Sequence, residues 1–198
     1  AELPQKLTKG RYYLNKRLSP KAATQAAIGW ALGEYRFGKY KKLKKLNAEL
    51  VWPEGADKAE VNRLSRGITL TRDLINIPAN DLGPQDLARE AKKLAKTHNA
   101  KFLVISGQEL LRQNYPSIHA VGRASSRAPC LIDLHWGARS APKITLVGKG
   151  VCFDSGGLDI KPASGMLNMK KDMGGAAQVL GLAHMIMDAK LPIRLRVL

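Results

Sequence analysis

Apolar residues recur along this chain with two different periods. Ala22, Ala23, Ala26, Ala27, Ala31 and Leu32 follow a helical repeat that runs to about Gly38. Ser19 opens it as an N-cap, with Pro20 at the first helical position. Val61, Leu64, Ile68 and Ile75 predict a second helix from about Asp57. It should stop before Pro78, because a proline disfavours helical geometry in the residue ahead of it. Leu82-Gly83-Pro84 restarts a helix to about His98. The character then changes to short apolar runs. Strands are expected at 101–106, 129–136, 143–147 and 193–198, with helices at 108–114 and 172–190. Strands alternating with helices give an α/β fold: a mixed, largely buried sheet flanked by helices. Residues 39–55, lysine-rich and then Trp52-Pro53-Glu54-Gly55, read as a connector. A strand at the very end of the chain suggests a sheet continued by further residues.

Composition narrows the picture. The apolar content is 44%, ordinary for a globular protein. No uninterrupted apolar run approaches the ~20 residues that span a bilayer, and residues 1–10 lack the apolar core of a secretory signal. Cys130 and Cys152 form neither a metal-type pair nor a disulfide framework, so reduced thiols in a cytosolic setting are expected. The net charge of +17 raises a nucleic-acid reading. The excess is spread along the chain, and its densest stretch, Lys39-Tyr40-Lys41-Lys42-Leu43-Lys44-Lys45, is also what a solvated linker looks like.

The stretch VGKGVCFDSGGLDIKPASGMLNMKKDMGG, residues 147–175, carries the candidate chemistry. It starts at the carboxyl end of an expected strand, the usual location of a site in an open α/β sheet. Lys149, Asp154, Lys161 and Asp172 are separated by glycine-containing turns that let the loops fold back on one another. Carboxylates bind divalent ions, and one aspartate can bridge two of them. A lysine can ligate once deprotonated, and a protonated one can hold a developing oxyanion. Phosphate binding competes with this reading, although the P-loop spacing is absent.

Residues 147–181 closely resemble the core motif of the leucine aminopeptidase family, the two-zinc cytosolic type. The resemblance reaches upstream through Leu74-Ile75-Asn76-Ile77-Pro78-Ala79-Asn80, Leu82-Gly83-Pro84 and His119-Ala120-Val121-Gly122-Arg123. It implies that Lys149 and Asp172 ligate metal, that Asp154 bridges two ions and that Lys161 is catalytic, holding the substrate carbonyl. It implies that Met169 lines the pocket for the substrate's first side chain. It further implies two divalent ions (zinc, with manganese or magnesium as alternatives), peptide substrates, a homo-hexamer, a cytoplasmic location and no membrane. The family's second signature, Asn-Thr-Asp-Ala-Glu-Gly-Arg, adds two carboxylate ligands and an arginine that holds a bicarbonate base. It does not occur in these 198 residues.

On this resemblance, residues 1–55 are the tail of a smaller α/β N-terminal domain with its linker, and 56–198 the first part of a metallopeptidase catalytic domain. The expected activity is that of a metal-dependent aminopeptidase, with these residues alone inactive. The rivals are a nucleic-acid-binding role and a non-catalytic remnant of the same fold. His98, His119, His135 and His184 lack HExxH spacing and are expected to pack rather than ligate.

Overall fold

A computed structural model of the chain describes residues 2–198, which divide into two compact units, the first running to Thr69 and the second from Leu70 to Leu198. The division falls inside one continuous helix.

The first unit holds helix α1 (Leu3–Lys6), strand β1 (Gly10–Tyr12), helix α2 (Pro20–Glu34), strand β2 (Ala48–Leu50) and the start of helix α3 (Lys58–Asn76). Ser19 Oγ accepts the Ala22 N–H at 3.4 Å, the expected cap. Thr24, buried on α2, donates to the Pro20 carbonyl at 2.8 Å and accepts the Asp57 N–H at 2.9 Å. That second bond seats the start of α3, where Asp57 Oδ1 accepts the Glu60 N–H at 3.0 Å.

Helix α2 ends four residues earlier than its sequence suggests. Gln5 Nε2 donates to the Gly33 carbonyl at 2.7 Å, satisfying one of the last-turn acceptors, and Tyr35 turns extended. The expected connector also contains β2, which pairs in parallel with β1 from Gly10↔Ala48 to Tyr12↔Leu50. Three residues are too few to show a period, and the partner strand lies far away in sequence. The lysines of 39–45 are all exposed and outside any helix or strand.

In the second unit the chain continues through α4 (Pro84–Thr97), β3 (Lys101–Ser106), α5 (Glu109–Arg112), α6 (Pro116–Gly122), β4 (Cys130–Trp136) and β5 (Lys143–Leu146). Then come α7 (Ala163–Met166), a 3-10 turn (Met169–Met173), α8 (Gly174–Asp188) and β6 (Arg194–Val197). The sheet has the order β3-β4-β6-β5, with β5 parallel to β6 and the other neighbours antiparallel. It is the mixed, helix-flanked sheet expected. Leu134, Leu195, Val197 and Ile105 from the strands are buried, as are Leu87, Ala91 and Leu94 of α4 and Ala176, Ala177, Leu180 and Ala183 of α8. Small residues on α8 bring that helix close to its neighbours.

Strand β6 lies between β4 and β5. One sequence expectation changes: α8 begins at Gly174 rather than Asp172, because Met169–Met173 close a tighter 3-10 turn first. Helices α6 and α7 were not expected; each is short and buries no residue completely.

One polar cluster lies within this sheet. Asp133 on β4 is 7% exposed and accepts Arg196 Nε at 3.0 Å and a second guanidinium nitrogen at 2.8 Å. His135 Nε2 lies 2.9 Å from the same carboxylate.

Candidate active site

The candidate site grows from the carboxyl end of β5. The chain leaves the sheet with the Gly148 N–H donating to the Leu198 carbonyl at 2.9 Å, then runs against the first turn of α8. Backbone meets backbone there. A Cβ on Gly148 would stand 2.7 Å from Ala176 Cα, and one on Gly175 would stand 2.8 Å from the Lys149 nitrogen. Only glycine fits at either position. The Lys149 carbonyl accepts the Ala176 N–H at 2.8 Å, satisfying one of the donors that a helix leaves free at its start.

This contact carries the side chains of Lys149 and Asp172 together. Lys149 Nζ donates to Asp172 Oδ1 at 2.9 Å and lies 2.9 Å from Oδ2 as well. Only the first approach has hydrogen-bond geometry, so Oδ2 is a buried oxygen with no hydrogen bond among the described residues. The bond to Asp172 holds the Lys149 ammonium above its ordinary pKa.

Asp154 belongs to a second loop. Its Oδ1 accepts the Gly156 N–H at 2.9 Å and its Oδ2 lies 3.0 Å from Lys161 Nζ. Gly156 has φ +95°, and a Cβ there would fall 2.1 Å from the Asp159 carbonyl oxygen, so the turn demands glycine. The Lys161 N–H closes the loop onto the Ser155 carbonyl at 3.0 Å. The Gly156 N–H first, then Lys161, hold the Asp154 carboxyl below its ordinary pKa. The Lys149 charge acts on Asp154 as well as on Asp172, which links the two ion pairs electrostatically.

Met169 is half-buried at the start of the 3-10 turn, three residues before Asp172. In a 3-10 turn, residues three apart lie over one another, so Met169 and Asp172 share a face of it.

The set fits a divalent cation. Asp172 presents a buried oxygen that makes no hydrogen bond and is in ion-pair contact with Lys149, and the donors are carboxylates and an amine. The fit is partial: among the described residues, no group of three or more His, Cys, Asp or Glu is placed to hold a metal.

Other polar groups stand apart. His98 Nε2 and His184 Nδ1 are 3.0 Å apart, joining the end of α4 to α8. Cys130 and Cys152 are free thiols, each pushed up to about 11 by burial. No described helix is long and apolar enough to cross a membrane. Sequence reasoning missed Arg127, which donates to the carbonyl of Ala79 at 2.9 Å and to that of Asn80, holding the turn between α3 and α4. It also missed Lys170, which donates to the Asn76 carbonyl at 3.2 Å. A long helix with no basic residue in its last turn was the available signal for Lys170.

Residues 69–198 match the sequence model of the cytosol aminopeptidase family, catalytic domain. The chain belongs to that family.

Residues 1–53 match the N-terminal domain of M17 aminopeptidases. A probable cytosol aminopeptidase of Roseiflexus castenholzii is 38% identical over 204 residues, covering 91% of this chain and 40% of that protein. The crystal structure of a cytosol aminopeptidase from Coxiella burnetii superposes with a TM-score of 0.94 at 49% identity, over 99% of this chain and 43% of that one. The bottromycin maturation enzyme BotP in complex with Mn gives a TM-score of 0.83 at 33% identity, over 94% and 42%. This cytosol aminopeptidase-family chain thus spans about two fifths of the length of the relatives it matches.

Proposed function

We propose that the whole protein is a metal-dependent aminopeptidase that releases N-terminal amino acids from peptides. The observation that carries this is the meeting of Lys149 with Asp172 beside the Asp154–Lys161 pair, with Asp172 Oδ2 left buried and without a hydrogen bond. Two carboxylates and a lysine amine so arranged suit divalent ions, and one relative was solved in complex with Mn.

In this reading residues 1–55 are the tail of the N-terminal domain and its linker, and 56–198 the first part of the catalytic domain. Lys149, Asp154 and Asp172 would hold the metal, with Asp154 serving two ions. Zinc is the proposed metal, with manganese or magnesium as alternatives. Bound ions supply Lewis-acid chemistry and an activated water. The chain's own residues do the rest. Lys149 must give up its proton to ligate. Lys161 places a donor where the peptide carbonyl oxygen gains charge. Met169, on the face of the 3-10 turn shared with Asp172, borders the pocket for the first side chain. The full assembly is a homo-hexamer in the cytoplasm.

Separating binding from chemistry tests the assignment in the full-length protein. Lys161→Ala should lower kcat by about 10²–10³, the usual effect of removing one oxyanion donor, while metal content stays unchanged. Asp154→Ala should lower metal content and activity together. Loss of metal in the first and its retention in the second would reverse the two roles.

A further inference from the structure

The motif reading leaves Lys170 without a task. It stands two residues before Asp172 in the 3-10 turn, and its part-buried Nζ donates to the carbonyl of Asn76, the last residue of α3, at 3.2 Å. Helix α3 has no basic residue in its own last turn, so the negative end of its dipole takes a cation from 94 positions farther along the chain.

The same end of α3 grips the segment at further points. Thr71 Oγ1 donates to the Ala177 carbonyl at 3.2 Å. Ile75 Cδ1 lies 3.7 Å from where a Cβ on Gly174 would stand. Thr71 and Ile75 lie four residues apart and so share one side of the helix, and Asn76 closes its carboxyl end. The grip brackets Asp172, with Lys170 before it and Gly174 and Ala177 after it. Met173, between them, is 1% exposed.

A five-residue 3-10 turn has poor hydrogen-bond geometry and does not hold itself rigid. The placement of the Asp172 carboxylate must therefore come from what the turn is tied to. An unpaired ammonium two residues from a cation-binding carboxylate would also oppose the cation. Docked on a helix carboxyl end, it has a negative partner instead.

We propose that Lys170 is a positioning residue for Asp172, pinning the 3-10 turn to the carboxyl end of α3. This rests on the metal-ligand reading of Asp172 given above. Groups that orient a ligand without touching the metal typically change metal affinity by about 10–100-fold when removed.

The test is zinc affinity of the full-length protein, measured by competition with a chromophoric chelator, beside thermal unfolding of the metal-free form. Lys170→Met keeps the aliphatic stem and removes the donor. It should weaken zinc binding by about 10–100-fold, whereas Lys170→Arg, which keeps charge and donors, should stay within about threefold of the parent. The metal-free melting temperatures of both should lie close to the parent's. Should Lys170→Met fail to fold, Lys170→Gln, with a shorter uncharged donor, should show the same weakening. Parental zinc affinity in the neutral variant that folds, or equal weakening in Lys170→Arg, overturns the positioning role. A parent that binds no zinc, or an Asp172→Asn variant that binds as tightly as the parent, overturns the metal reading itself.

Discussion

The Lys149 ammonium lies 2.9 Å from both carboxylate oxygens of Asp172, although 23 residues separate the two in sequence. A hydrogen bond to Asp172 stabilises the charged lysine and raises its pKa. A metal ion that uses the Lys149 amine must displace that proton, so affinity and pH are coupled.

The coupling has a definite sign. Below the raised Lys149 pKa the amine is protonated in the metal-free protein, and each pH unit gained should tighten binding by about tenfold through this one proton. Zinc affinity measured at several pH values between about 6 and 9, with the titration of other ligands accounted for, would show the slope. In Lys149→Met the slope should fall by about one proton. An unchanged slope would remove Lys149 from the ligand set.

The glycines that let β5's loop meet α8 can be tested against a glycine that does nothing of the kind. A Cβ on Gly175 would press on the Lys149 backbone, whereas one on Gly29, inside α2, meets nothing within 4 Å. Gly175→Ala should cost about 1–3 kcal/mol from overpacking and should part Lys149 from Asp172, lowering metal content. Gly29→Ala should be neutral or stabilise by about 0.5–1 kcal/mol. Urea unfolding and metal analysis on the pair of variants read both effects. Equal behaviour of the two would mean that the close approach at Gly175 is not needed.

Asp133 provides a stability prediction away from the site. Burial alone would raise its carboxyl pKa, but hydrogen bonds from Arg196 and His135 outweigh that and lower it. A depressed folded-state pKa contributes stability that is present above the unfolded value of about 4 and is lost as pH falls through the folded one. Asp133→Ala strands a partly buried arginine, and should cost about 3 kcal/mol near neutral pH, the low end for breaking a buried pair because Arg196 keeps some water contact. The variant should also lose part of the parent's destabilisation below about pH 4. Thermal unfolding across pH checks both. Parallel stability curves for parent and variant would contradict the account.

Elements with local signals were legible in the sequence. Ser19-Pro20 and Gly83-Pro84 open α2 and α4 at the positions expected, because caps and N-terminal prolines act within one turn of chain. The apolar runs at 101–106 and 129–136 became β3 and β4 for the same kind of reason. The pairing of β1 with β2 and the 3-10 turn before α8 were not legible. Each is too short to have a period, and each depends on partners distant in sequence. Helix α6 did carry a signal, Pro116 at its first turn, but no buried face to support it.

For the site, the amino-acid sequence determined which groups are present: two carboxylates, two lysines and the glycines between them, in a motif specific enough to resemble one family. It could not determine how they pair. That Lys149 lies against Asp172 and Lys161 against Asp154 follows from the backbone contact of Gly148 and Lys149 with Gly175 and Ala176, and from the turn at Gly156. The place of β6 inside the sheet and the anchoring of Lys170 on α3 were likewise decided only by tertiary structure. Hydrogen bonds and close packing between segments tens of residues apart have no local pattern in a sequence, because their geometry exists only once the chain has folded back on itself.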